Sequence, residues 1–199
     1  MGARSNRRDE IVEAAAQLFM QKGYTATSVR AISDAVGCTE AALYYHFKDG
    51  KRELLGAVCE VFAPDYQEIL DECRDAETLG EFIMRFGAAG YKRLDTQQVE
   101  RQRWMIAEFP HLSEDERLFF SNKLLGFHSG LAECLLKFVP NAHEAERAAW
   151  MILCTAIGFG QIFRSLEVEK HTDFSAPEII SMLKQALTCV YPKKTSSKA

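Results

Sequence analysis

Residues 27–51 read TSVRAISDAVGCTEAALYYHFKDGK. Ser28 suits the cap of a first helix, because its hydroxyl accepts a bond from a backbone N–H that has no helical carbonyl to meet. Val29, Ile32 and Val36 then recur at helical spacing and make one apolar face. Gly37 stands where such a helix stops most easily, since glycine enters the left-handed region without steric penalty. Thr39 is a second cap, and Glu40 to Phe47 predicts a second helix. Two short helices around a glycine-containing break are the outline of a helix-turn-helix.

Within the second helix, Leu43 and Phe47 are four residues apart and share an inward face. Glu40, Ala41, Tyr44 and Tyr45 are left toward the open side. Small residues at the helix start allow close approach to base edges. The tyrosines and His46 offer hydroxyl and ring N–H groups for phosphate, and ring faces for thymine methyls. Spacing alone fits an amphipathic helix hairpin with no ligand equally well.

The residues around this pair carry a more specific signal. Ile11 to Phe19 (IVEAAAQLF) is a preceding helix, followed by Lys22, Gly23, Tyr24 and ATSV at 26–29. Ile32, Ser33, Ala35, Val36 and Gly37 come next, then LYYHFK at 43–48, then Leu54 and Leu55. With these residues, positions 8–56 resemble the DNA-binding domain of TetR-family transcriptional regulators. The resemblance implies that Ser28, Arg30, Thr39, Glu40, Ala41, Ala42, Tyr44, Tyr45, His46 and Lys51 face DNA. Arg30, Glu40, Ala41 and Tyr44 match base-reading positions, whereas Ser28, Tyr45, His46 and Lys51 match phosphate-holding ones. Arginine can read guanine O6/N7, and glutamate can accept from cytosine N4. One departure is KDGKRE at 48–53, one residue longer than the usual link into the next helix, which puts the Lys51 contact in doubt.

The chain has 199 residues, of which 47% are hydrophobic, enough for a substantial core. No run of eighteen apolar residues predicts a membrane span, and the polar, basic start (Arg4, Arg7, Arg8) has no apolar segment of a secretory signal behind it. A cytoplasmic location is expected. Six scattered cysteines form no CxxC pair, which favours reduced thiols over a disulfide or zinc framework. The formal charge is −4, yet residues 1–55 hold eight Lys/Arg against seven Asp/Glu, so the acidity lies elsewhere. That weak basic balance fits a binder needing correct geometry from two copies better than one that coats DNA.

Helical periodicity continues to about residue 191, with no strand alternation, so the fold class is all-α. Helices are expected over about 8–22, 51–63, 78–94, 97–109, 113–138, 142–168 and 177–191, with breaks at Pro64, Pro110 and Pro177. A division into a DNA-binding domain (1–55), a ligand-binding and dimerisation domain (56–191) and a disordered basic tail (192–199) follows. In the resembling family the helix from Lys51 joins the first two. The run WMILCTAIGFG, 150–160, is apolar nearly all round, more than a surface helix of a monomer needs. The resemblance puts a four-helix homodimer interface here, with Trp150, Cys154, Ile157 and Gly158 on one helix and Ile180, Leu183 and Leu187 on the other. Such a dimer holds two recognition helices one helical turn apart, ~34–36 Å, on a near-palindromic operator in double-stranded DNA.

Trp104, Met105, Phe109, Phe120, Phe127, His128 and Phe163 are an aromatic-rich inventory for a small-molecule cavity, although each also suits plain core. A pocket so lined predicts a hydrophobic or aromatic effector. No cofactor and no metal is expected, and the five histidines have no ligand-like spacing. GxSxG, HExxH, P-loop and GxGxxG motifs are missing, so no catalytic residue is assigned and an enzyme is not expected. The expected function is a transcriptional regulator, a repressor released by its effector; the alternative is a helical dimeric adaptor without sequence-specific DNA binding.

Overall fold

A computed structural model describes residues 7–62 and 66–192, with ten α-helices and no strand among them. The start of the chain to residue 6, the break at Pro64 and the tail from residue 193 lie outside the described residues. The described residues pack as two units, one of residues 7–62 with 101–121 and one of residues 66–100 with 122–192.

The first unit is built on α1 (Arg7–Lys22), α2 (Val29–Val36), α3 (Glu40–His46) and α4 (Lys51–Phe62). The expected caps form. Ser28 Oγ accepts the Ala31 N–H at 3.1 Å, and Thr39 Oγ1 accepts the Ala42 N–H at 3.1 Å. Gly37 takes φ 69°, which lets its own N–H and that of Cys38 turn back onto the carbonyls of Asp34 and Ser33. Ile11, Phe19, Ile32, Leu43, Phe47 and Leu54 are fully buried together.

Residues 101–121 complete this unit: the end of α7 (Thr96–Glu108), a 3-10 turn (Phe109–His111) and the start of α8 (Glu114–Leu135). Trp104 stacks on Phe19, centroids 6.2 Å apart, and its indole N–H donates to the Phe19 carbonyl at 2.8 Å. The Tyr24 hydroxyl donates to Glu116 at 2.6 Å. Glu116 also accepts the backbone N–H and the hydroxyl of Ser113, both at 2.9 Å, closing a capping box at the start of α8. Burial raises the Glu116 carboxyl, but the Tyr24 and Ser113 hydrogen bonds outweigh it and hold it below its ordinary value. Burial, then the bond to Glu116, pushes the Tyr24 phenol up.

In the second unit α5 (Tyr66–Cys73), α6 (Leu79–Arg93) and the later turns of α8 pack with α9 (Ala142–Phe159) and α10 (Ala176–Val190). Thr78, Asn141 and Ser175 cap α6, α9 and α10. The core centres on Phe82, Ile83, Leu131, Leu135, Ile152 and Leu187. α6 and α10 lie close because α6 has glycine where α10 presses on it. A Cβ at Gly87 would stand 2.6 Å from Ile180, well inside van der Waals contact.

Two helix ends correct the sequence-based expectation. α8 stops at Leu135, three residues before Phe138, where Phe138 N–H turns back to the Leu135 carbonyl ahead of Pro140. α9 is α-helical only to Phe159 and not to Val168; Gly160–Ser165 is a π-helical turn. Gly158 and Gly160 weaken α-helix locally, and the wider turn stacks Phe163 on Phe159 at 4.6 Å and aims Arg164 at the Leu94 carbonyl, 3.0 Å away. A short 3-10 turn (Val168–His171) then precedes α10.

All six cysteines are free thiols, and among the described residues no helix is long and apolar enough to cross a membrane.

Leu131→Ala is expected to destabilise the protein by about 2–5 kcal/mol in urea unfolding, and Leu136→Ala, on the exposed side of the same segment, by less than ~0.5–1 kcal/mol. Because Glu116 titrates below its unfolded value, its stabilisation is present above that value and lost as pH falls through the folded one. The stability difference between wild type and Glu116→Gln is therefore expected to be largest near neutrality and to shrink below about pH 4. Urea midpoints of both proteins across that range measure it.

Candidate nucleic-acid interface

The second helix of the turn motif is held from beneath. Leu43 and Phe47 are fully buried, and Arg8 lies over the Phe47 ring with its guanidinium carbon 5.0 Å from the centroid. Fixing that face turns the opposite one outward. Glu40, Ala41 and Tyr44 are exposed, and Tyr45 is 81% exposed, extreme for an aromatic side chain. Ala42 and His46 are half-buried on the flanks. The Tyr45 and His46 rings meet edge to face, centroids 5.3 Å apart. Neighbouring exposed aromatics make the kind of surface that a partner can cover.

Around this face the other candidate residues fall into two groups. Arg30 and Thr39 are exposed, and Arg30 pairs only loosely with Asp34, 3.9 Å away with both side chains largely in solvent. Such a pair gives up its arginine at little cost. Ser28 and Thr39 use one acceptor lone pair each as caps, so their hydroxyl protons still have a donor role to fill. Lys51 is more engaged than the sequence suggested. Its ammonium donates to the Tyr24 carbonyl at 2.9 Å and to the Thr25 carbonyl at 3.3 Å, and it lies 4.4 Å from the Tyr24 ring centroid. Burial lowers its pKa, against the pull of Glu116 and Glu108. An ammonium with two carbonyl acceptors keeps one proton for a phosphate.

The lengthened link before Lys51 is a compact turn. Gly50 N–H donates to the Phe47 carbonyl at 2.9 Å, and the Gly50 carbonyl accepts from Leu54 N–H at 3.1 Å. Gly50 takes φ 60°, a left-handed conformation that lets the turn close in one extra residue. No sequence motif singled it out; its DG dipeptide was the available signal.

The seven aromatic-inventory residues do not form one group. Trp104, Met105 and Phe120 belong to the core of the first unit, with Trp104 buried, and Phe109 is exposed in its 3-10 turn. In the second unit Phe127 stacks on Phe86 at 6.2 Å and Phe163 lies between Phe159 and Phe174. His128 is buried, donates from Nε2 to the Glu146 carbonyl at 3.1 Å, and stacks on Trp150 at 4.2 Å. A cleft of about 430 Å³ in the first unit touches none of the seven. Its walls include Arg8, Asp49, Arg52, Glu53, Asp115 and Phe119, and an Arg52–Asp115 ion pair of 3.0 Å spans two of its wall helices.

The predicted contact residues on α9 and α10 differ in exposure. Trp150 (39%), Ile157 (40%) and Cys154 are exposed, Gly158 is half-buried with open space around it, and Ile180 and Leu183 are half-buried against the unit's core. Leu187 departs from the set. It is fully buried within its own unit, because α10 turns it toward α6, and Met182 and Val190 are the large apolar side chains that α10 leaves exposed. Among the described residues no group of three or more His, Cys, Asp or Glu could hold a metal ion.

Residues 11–58 match the family described as bacterial regulatory proteins, tetR family. The chain is similar to the HTH-type transcriptional repressor KstR2 of Rhodococcus jostii (strain RHA1), with 30% identity over 125 residues covering 61% of this chain and 59% of that protein. It is also similar to the HTH-type transcriptional repressor AcnR of Corynebacterium glutamicum, with 28% identity over 101 residues, 51% of this chain and 46% of that one. The chain thus spans about half the length of the curated relatives it matches. Among solved structures, Salmonella enterica GusR superposes with a TM-score of 0.70 at 21% identity, covering 96% of this chain and 98% of that one, which is a likeness of fold.

Proposed function

The chain belongs to the TetR family of bacterial regulatory proteins, a family of regulators and not of enzymes, and from that premise we propose that it is a DNA-binding transcriptional repressor. It grips a palindromic operator as a homodimer and is released by a small hydrophobic or aromatic effector. The observation that carries the DNA-binding part is the outward face of α3, with Tyr44, Tyr45, Glu40 and Ala41 exposed while Leu43 and Phe47 anchor the helix from behind.

In the proposed complex α3 enters the major groove, where Ala41 admits the backbone, Glu40 accepts from a cytosine amino group and Arg30 reads a guanine. Ser28, Thr39, Tyr45, His46 and Lys51 hold phosphates and set the register. The relation between charge and affinity follows. A domain with almost no net positive charge draws DNA in only weakly as a whole, so two correctly spaced copies are needed for useful binding. The apolar, exposed Trp150, Met151, Cys154 and Ile157 on α9 support the homodimer. The aromatic side chains near the π-helical turn support an apolar or aromatic effector; its identity, and the operator, are for experiment.

Selection from a randomised duplex library is expected to recover one short palindrome, bound with steep loss at raised salt. Tyr44→Ala is expected to remove preference for that palindrome while circular dichroism and sedimentation leave helicity and the dimer unchanged. Retained preference would refute the role of α3, and no preference in the wild type would favour a helical adaptor. In a thermal-shift screen of hydrophobic metabolites, a binding effector is expected to raise the melting temperature and to weaken operator binding. A ligand that raises the melting temperature with operator affinity unchanged would refute effector-driven release.

A further inference from the structure

We propose that Gly50 is a positioning residue for the DNA-reading face, seating the ring of Tyr44 through the absence of its own side chain. The inference rests on the reading of α3 as the recognition helix and adds to it a residue that need not touch DNA.

Gly50 is buried, and a Cβ built on it would stand 2.9 Å from Tyr44 Cε1 and 3.5 Å from both Cζ and the hydroxyl oxygen. The first distance is shorter than real carbon contacts, so one of the two groups has to move. The glycine backbone is pinned. Its N–H bonds to Phe47 and its carbonyl to Leu54, and both of those residues are fully buried. Tyr44 is 46% exposed and swings about two side-chain torsions. The ring therefore yields, and it yields outward, on the side that is to meet base edges. A side chain at position 50 thus alters DNA reading more than folding.

Left-handed backbone strain is a separate effect and can be subtracted. Gly37 has nearly the same φ, 69° against 60°, with nothing within 4 Å of its would-be Cβ. Gly37→Ala carries the strain without the collision. Asparagine tolerates the left-handed region better than alanine but still brings a Cβ, so Gly50→Asn carries the collision with less strain.

The 199-residue chain is labelled with 3-fluorotyrosine, and the Tyr44 resonance is assigned by its loss in Tyr44→Phe. Gly50→Ala and Gly50→Asn are expected to move that resonance, and Gly37→Ala to leave it in place. The two Gly50 variants are also expected to lose about tenfold or more of the preference for the selected palindrome over a shuffled duplex, with melting temperatures no lower than that of Gly37→Ala by more than ~2–4 °C. An unmoved Tyr44 resonance in both Gly50 variants overturns the proposal, as does a moved resonance with palindrome preference intact. Should the wild type select no palindrome, the DNA-binding reading fails, while the resonance alone still decides whether Gly50 seats the ring.

Discussion

The burial of Leu43 and Phe47 is the contact on which the N-terminal part of this protein depends. A helix of seven residues is far too short to be stable alone in water. Its stability comes from two side chains, each contributing roughly 1.5–3 kcal/mol of burial, set into a core that Ile11, Phe19, Ile32 and Leu54 have already dried. Because side chains four apart share a face, anchoring these two leaves Ala41, Tyr44 and Tyr45 no choice but the outside. The same contact thus makes the helix exist and aims it.

Around that anchor the turns are governed by where backbone polar groups go. Ser28 and Thr39 take up orphan amides at the helix starts, Gly37 turns the exit of α2, and Gly50 turns the exit of α3. The Tyr24–Glu116 and Trp104–Phe19 hydrogen bonds then tie the α1–α2 connection and the end of α1 to residues 101–121, and Lys51 ties the connection to α4. Each of these bonds is modest in net terms, about 0.5–1.5 kcal/mol, yet losing one leaves a buried polar group without a partner, which costs more. The connection before the recognition pair is therefore rigid for a loop.

In the C-terminal part the same economy of contact produces an exposed apolar face. Glycines at 80 and 87 let α10 lie close to α6, and that closeness commits Leu187 to the interior. On the other side of α9, Trp150, Met151, Cys154 and Ile157 are exposed, with Trp150 stacked on His128. An apolar surface of that kind is uncommon on a chain that works alone.

The sequence by itself determined the helical class, the two caps, the Gly37 stop and the inward pair Leu43 and Phe47, because those depend on neighbours within four residues. It likewise identified the family, since the matching residues form one contiguous local pattern. Only the tertiary structure decided that Trp104 and Phe120 belong to the core around α1–α4, that Lys51 spends two of its protons on carbonyls, that Leu187 faces inward, and that α9 widens into a π turn. Each of these turns on partners far away in the chain, which periodicity does not see. Gly50 stands between the two cases. Its presence was readable as an extra residue in a turn, but its meaning required the place of a tyrosine ring six positions earlier, fixed by packing and not by spacing.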